Sequence, residues 1–172
     1  KEAPKNGLHT EYYSNGHRAE TNYKDDKRHG KQTVWYENGQ KKSEEDYKDG
    51  KRDGNQTEWY ENGQKSFEGN KKDNKYNPGG LYWEGKQIWW YENGQIKSEI
   101  NYKDSYADGK QTEWYENGQK KSEKSYKRFN ILDGKQTEWY ENGQIESEKN
   151  HKDSKKDGKW TEWYENGQKK SE

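Results

Sequence analysis

Trp35-Tyr36-Glu37-Asn38-Gly39-Gln40 decides the fold, because the same six residues return without change at Trp59–Gln64, Trp90–Gln95, Trp114–Gln119, Trp139–Gln144 and Trp163–Gln168. A worn copy, Tyr12-Tyr13-Ser14-Asn15-Gly16-His17, leads the series. Asn-Gly between residues of high strand propensity is the strongest short-range hairpin signal, since a type I′ turn needs positive φ at both central positions. Each copy therefore predicts a β-hairpin with a two-residue Asn-Gly turn. In that register Trp35 faces Lys42, Trp90 faces Lys97, Trp114 faces Lys121 and Trp163 faces Lys170, with cation-π contacts of about 0.5–1 kcal/mol each.

Outward from the hexamer, the turn glycines Gly16, Gly39, Gly63, Gly94, Gly118, Gly143 and Gly167 mark seven repeats, which makes residues 1–172 one array. A second glycine precedes each by nine residues, at Gly7, Gly30, Gly54, Gly85, Gly109, Gly134 and Gly158. Length varies only after the N-G turn, so one arm is rigid and the connections absorb change. Adjacent residues of a strand point to opposite faces. One face thus receives a ladder of Trp35, Trp59, Trp90, Trp114, Trp139 and Trp163. The other receives the Tyr of each hexamer with Tyr47, Tyr102, Tyr126 and, in the sixth repeat, His151. Seven hairpins give an all-β, single-layer antiparallel meander of about fourteen strands, elongated to roughly 65 Å at ~4.8 Å per strand.

Composition agrees. Among 172 residues, Leu, Ile, Val and Phe number eleven, against nine Trp and fifteen Tyr, so the buriable apolar area sits in rings and no aliphatic core is available. Thirty-three basic and thirty-three acidic residues give a net charge of zero, which argues against nucleic acid as partner. No apolar run is long enough for a transmembrane helix. Without Cys there is no disulfide, thiolate nucleophile or Cys-ligated zinc. Lys1 and the absence of Met read as a chain lacking its natural first residue, and a trimmed export signal favours an exported or cell-surface location over a cytoplasmic one.

The repeat, as in Tyr47-Lys48-Asp49-Gly50-Lys51-Arg52-Asp53-Gly54 followed by W-Y-E-N-G, resembles the MORN family (membrane occupation and recognition nexus) in its bacterial variant, over residues 7–172. The resemblance implies a twisted β-meander used for protein assembly, dimerisation or lipid association, in chains often linked to antitoxin or immunity roles. It also brings the label of phosphatidylinositol-phosphate kinase, which does not fit here: no Gly-rich phosphate loop, catalytic Asp/Asn pattern or repeat-free stretch exists to hold a kinase.

Catalytic, metal and cofactor sites are not expected. His9, His17, His29 and His151 fall at unrelated repeat positions, and the duplicated Glu37, Glu61, Glu92, Glu116, Glu141 and Glu165 mark scaffold. Asp-rich connections lack the spacing of a calcium loop. The departures from the repeat carry more information. Tyr76, Leu81, Tyr82, Trp83, Tyr106, Phe129, Ile131 and Leu132 all fall in the connections, opposite the N-G turns, and form the expected partner surface or, alternatively, lids over the ring ladders. The expected function is a non-enzymatic scaffold for protein–protein interaction, of antitoxin-like or surface-adhesion type, with a protein partner and a homodimer through open sheet edges. Two alternatives are carbohydrate or choline-type binding on the Trp/Tyr ladders and peripheral lipid association through Lys41-Lys42, Lys120-Lys121 and Lys169-Lys170. The last is weakened because each pair splits across two faces beside Glu.

Overall fold

The computed structural model describes residues 6–73 and 81–172. Its strands pair antiparallel throughout, and the chain falls into two compact units, residues 1–84 and 85–172. The first unit holds β1 (Asn6–Tyr12), β2 (Arg18–Lys24), β3 (Lys27–Trp35), β4 (Lys41–Lys48), β5 (Lys51–Trp59), β6 (Lys65–Asp73) and β7 (Leu81–Trp83). The second holds β8 (Gly85–Trp90), β9 (Ile96–Lys103), β10 (Tyr106–Ala107), β11 (Gly109–Trp114), β12 (Lys120–Lys127) and β13 (Ile131–Leu132). It continues with β14 (Gly134–Trp139), β15 (Ile145–Lys152), β16 (Lys155–Lys156), β17 (Thr161–Trp163) and β18 (Lys169–Ser171). The all-β meander expected from the repeat is the observed architecture.

The hairpin turn differs from the two-residue form. Tyr36 N–H donates to the Gln40 carbonyl at 2.8 Å and Gly39 N–H to the Tyr36 carbonyl at 3.0 Å, so Glu37-Asn38-Gly39 is a three-residue loop. Only Gly39 takes positive φ, +82°. This is a type I turn followed by a left-handed glycine, the bulged three-residue hairpin. The register moves with it: Trp35 pairs with Lys41, and a bulge passes over Lys42 before Val34 meets Ser43. Lys42 consequently stands over Tyr36 at 5.4 Å and not over Trp35. Lys97, Lys121 and Lys170 likewise stand over Tyr91, Tyr115 and Tyr164, correcting the Trp–Lys pairs expected from the shorter turn.

Type I′ turns do occur, on the opposite edge. Asp25-Asp26, Asp49-Gly50, Asp104-Ser105 and Asp153-Ser154 each take positive φ at both positions of a two-residue loop, and Phe129-Asn130 do so at the last two positions of a three-residue loop that begins at Arg128. Asp and Asn tolerate this conformation because their short polar side chains bond locally.

Strand partners separate the two faces as the alternation requires. Trp35, Lys41, Thr33 and Glu44 share one face, and Val34, Ser43, Gln32, Glu45 and Tyr47 the other. Burial is spread over small and hydroxyl side chains: Ala19, Thr21, Thr33, Thr112 and Thr137, with Ser122 and Ser147 on the Tyr side. Among the described residues the buried apolar set is Ala19, Tyr47, Phe67, Ile100 and Ala107. Each repeat buries its side chains against its neighbours, as expected where no second layer exists to bury either face.

Candidate functional site

Each residue of the hexamer has a bond or contact to a neighbouring repeat. The hydroxyls of Tyr36, Tyr91, Tyr115 and Tyr140 donate to the carbonyls of Trp59, Trp114, Trp139 and Trp163, one repeat on, at 2.8–2.9 Å. Asn117 Oδ1 accepts from Gln119 N–H at 2.9 Å while its Nδ2 donates to the Glu141 carbonyl at 3.1 Å, and Asn38, Asn93 and Asn142 repeat the pattern. Gln40, Gln95, Gln119 and Gln144 lie against Gly63, Gly118, Gly143 and Gly167, close enough that a Cβ would collide. The duplicated carboxylate residues thus serve this edge through their backbone carbonyls.

On the Trp face the rings are half-buried. Arg18 stands 4.0 Å over Trp35, Lys41 5.7 Å over Trp59 and Lys120 5.7 Å over Trp139. The same lysines clamp carboxylates: Glu44 receives Lys41 at 2.8 Å and Lys31 at 3.5 Å, and Glu123 receives Lys110 at 2.8 Å and Lys120 at 3.0 Å. Partial burial alone would raise both carboxyls, but the lysine hydrogen bonds and charges outweigh it and hold them below the ordinary carboxylate range.

The connection edge is where the units differ. In the first, cations cover the second Tyr column: Arg28 Nη1 donates to the Tyr47 hydroxyl at 3.3 Å, and Arg52 Nε reaches Glu45 at 2.7 Å. Burial would lower both arginines, yet hydrogen bonds from them to the neighbouring tyrosines raise them further. Trp83 packs edge-on against Phe67 at 5.4 Å beneath Lys71 at 4.3 Å, and Tyr82 is half-buried opposite Lys72. Burial, then the charge of Arg52, lowers Lys71. Leu81 pairs with Asp73 through the backbone, and Tyr76 lies outside the described residues.

In the second unit Ala107 is buried opposite Tyr102, and half-buried Leu132 faces Tyr126 beside Ile131. The Leu132 backbone is held by the next connection, donating to Ser154 Oγ at 3.1 Å and accepting from Ser154 N–H at 2.8 Å. Tyr106 and Phe129 do neither. They are 40% and 55% exposed and meet edge to face at 4.9 Å, with the Arg128 guanidinium 5.2 Å from the Phe129 ring. Phe129 takes φ +69°, in a turn position filled by Asp25, Asp49, Asp104 and Asp153 elsewhere. The structure thus brings two of the sequence-derived contact residues together on an exposed turn and places Trp83 and Leu132 against the ladder.

The histidines stay apart. His9 lies 3.5 Å from Glu11, His17 meets Tyr36 edge-on, His29 lies 3.5 Å from Asp49 and His151 tilts against Trp160. Among the described residues no group of three or more His, Asp or Glu is placed to hold a metal ion. No helix of the described residues is long and apolar enough to cross a membrane.

Arg128 and Glu146 were absent from the sequence-derived residues. The signal for Glu146 was present: Gln144-Ile145-Glu146-Ser147 carries Glu where four sister repeats carry Lys42, Lys97, Lys121 and Lys170.

With stacked hairpins established, comparison with known families is decisive for class. The profile of the MORN repeat variant matches seven segments, residues 5–25, 28–49, 52–72, 83–104, 107–128, 132–153 and 156–172, and the chain belongs to that family. Such repeats are commonly protein- or membrane-binding modules, and the family is a non-catalytic repeat scaffold. No curated protein sequence matches the chain.

Proposed function

We propose that this chain is a non-enzymatic scaffold that binds a partner protein through the connection edge of its second unit, centred on Phe129 and Tyr106. The observation that carries this reading is Phe129 itself, an exposed aromatic ring in a left-handed turn position. A non-glycine residue there costs about 1–2 kcal/mol, and the four sister turns avoid most of that with Asp. Its edge-to-face pair with Tyr106 offsets about 0.5–1.5 kcal/mol. The fold therefore gains little from the ring, whereas an exposed aromatic pair beside an arginine is the composition of an interface hot spot. An immunity-type or adhesion role is the form this reading takes for a bacterial-type repeat of this kind.

The test is Phe129→Asp, which places at this positive φ the residue that Asp25, Asp49, Asp104 and Asp153 supply in the sister turns, in a loop one residue longer. The two costs above nearly cancel, so thermal stability should change by less than about 1 kcal/mol. Affinity capture from the source cells, read by mass spectrometry, should yield a protein retained by the native chain and lost by the variant. Equal retention by both, or a variant that unfolds, would refute the placement of the site. Retention of glycans or anionic vesicles alone would move the function to the Trp column or the lysines.

A further inference from the structure

A second surface, on the Tyr face near the hairpin turns, departs from its repeats in a way that specifies a ligand chemistry. In four repeats a lysine following the turn lays its ammonium over the hexamer Tyr: Lys42 on Tyr36, Lys97 on Tyr91, Lys121 on Tyr115 and Lys170 on Tyr164, at 5.4–5.9 Å. The third repeat has Ser66 at that position, and the sixth has Glu146. Tyr140 therefore carries no cation among the described residues, and a carboxylate stands where the ammonium would be.

The place is a recess and not a flat face. A cavity of about 210 Å³ opens between the sixth and seventh repeats, lined by Tyr140 and by Trp163, whose backbone carbonyl accepts from the Tyr140 hydroxyl. Three carboxylates and two ammonium groups line it. Lys149 is 3.6 Å from Glu138, which also accepts from Ser147 Oγ at 2.9 Å, and Lys170 is 3.9 Å from Glu162. Glu146 makes no ion pair among the described residues. The lining thus carries one surplus negative charge beside an uncovered aromatic ring.

We propose that this recess binds the side-chain ammonium of a lysine presented by a partner protein. The sister repeats show the geometry from within the same chain: an alkylammonium on a four-carbon stem reaches the equivalent Tyr, and the ring quadrupole attracts it. In the sixth repeat that ammonium is missing and its counter-charge is supplied instead, so the lysine must come from another molecule. The charge agrees, since one surplus carboxylate balances one monocation. Burial and then the charges of Glu146, Glu165 and Glu162 raise the Tyr140 hydroxyl, the mark of a negative local field. This site is separate from the Phe129 edge, and either stands if the other fails.

The test uses the full chain and blocked lysine (Nα-acetyl-lysine methylamide), with blocked norleucine as its uncharged counterpart, followed by the ring resonances of Tyr140. Saturable shifts are expected with lysine alone, at a Kd on the order of 10 mM for an ammonium held by one carboxylate and one ring. Glu146→Lys restores the repeat and brings an internal ammonium onto Tyr140. It should keep the fold, as four sister repeats do, and weaken binding at least tenfold. Glu146→Gln, which removes only the charge, should weaken it in the same direction. Unchanged affinity in both variants, or equal binding of lysine and norleucine, would overturn the proposal. So would binding of n-butylammonium without binding of blocked lysine, since the ligand would then be a free amine.

Discussion

Replacing Tyr115 by Phe removes one hydroxyl and nothing else, and so isolates the bond that links one repeat to the next. That hydroxyl donates to the Trp139 carbonyl at 2.8 Å, and both groups are part-buried. A net intramolecular hydrogen bond is worth about 0.5–1.5 kcal/mol, and a carbonyl left poorly solvated keeps the loss near the middle of that range, about 1 kcal/mol. For a chain of this size that lowers the melting temperature by about 2–4 °C. Tyr91→Phe breaks the equivalent bond to Trp114, one repeat or about 10 Å away, and shares no partner with Tyr115. The double variant should therefore lose about 2 kcal/mol, the sum of the singles. Tyr164→Phe is the control, because the Tyr164 hydroxyl makes no hydrogen bond among the described residues and its ring is exposed. Urea and thermal unfolding followed by Trp fluorescence read the native chain and all four variants. If Tyr115→Phe and Tyr164→Phe unfold together, the hydroxyl bond adds nothing and ring packing alone joins the repeats.

Gly39 and Gly143 share a φ of about +82° to +85°, but a Cβ at Gly39 meets open space whereas one at Gly143 meets Gln119 Oε1. Gly39→Ala should cost the left-handed penalty alone, about 1–2 kcal/mol, and Gly143→Ala more, with the excess removed by Gln119→Ala in a double-mutant cycle read by urea unfolding. Stability should also fall at both ends of the pH scale. Glu44, Glu123 and Glu138 are held below their ordinary value, so the folded state binds fewer protons than the unfolded one, and stability is lost as pH falls from about 4.3 through the lowered values. Tyr91, Tyr115 and Tyr126 are raised, chiefly by burial, so stability is complete below about pH 10 and is lost as pH rises beyond it. A pH series of melting temperatures that stayed flat below pH 4 and above pH 10 would contradict these assignments.

The number of hairpins, the division of Trp and Tyr between faces and the rigid arm were all legible from the spacing of Gly30 and Gly39 and its copies. The turn was not. The Asn-Gly rule describes a hairpin on its own, where Asn serves only its own backbone. In the stack, Asn117 also reaches the Glu141 carbonyl, and a three-residue loop is what presents its amide along the array. That one added residue displaced Lys42, Lys97, Lys121 and Lys170 from Trp to Tyr. The Tyr106–Phe129 pair was legible as two aromatics in connections but not as a contact, because it depends on consecutive connections lying side by side and on the extra residue in the loop Arg128-Phe129-Asn130. Trp83 was misleading for the opposite reason: Gly69 intervenes between Phe67 and Lys71 on the same strand, and the bulky ring packs inward there.

The interlock also explains where function resides in such a chain. Every hexamer residue bonds to or packs on its neighbour, through Tyr hydroxyl, Asn amide, Gln side chain or the space over Gly, so a change in any of them weakens two repeats at once. The connections are tied to one another as well, as Leu132 is to Ser154, but their turn residues and the residues just past the hexamer vary from repeat to repeat. Phe129 for Asp and Glu146 for Lys each replace a residue whose sister copies suit the local conformation or charge better, and neither substitution shortens a strand or opens the stack. A repeat protein acquires specificity by the departures its scaffold tolerates, and in this one those departures are an exposed ring on one edge and an unbalanced carboxylate near the other.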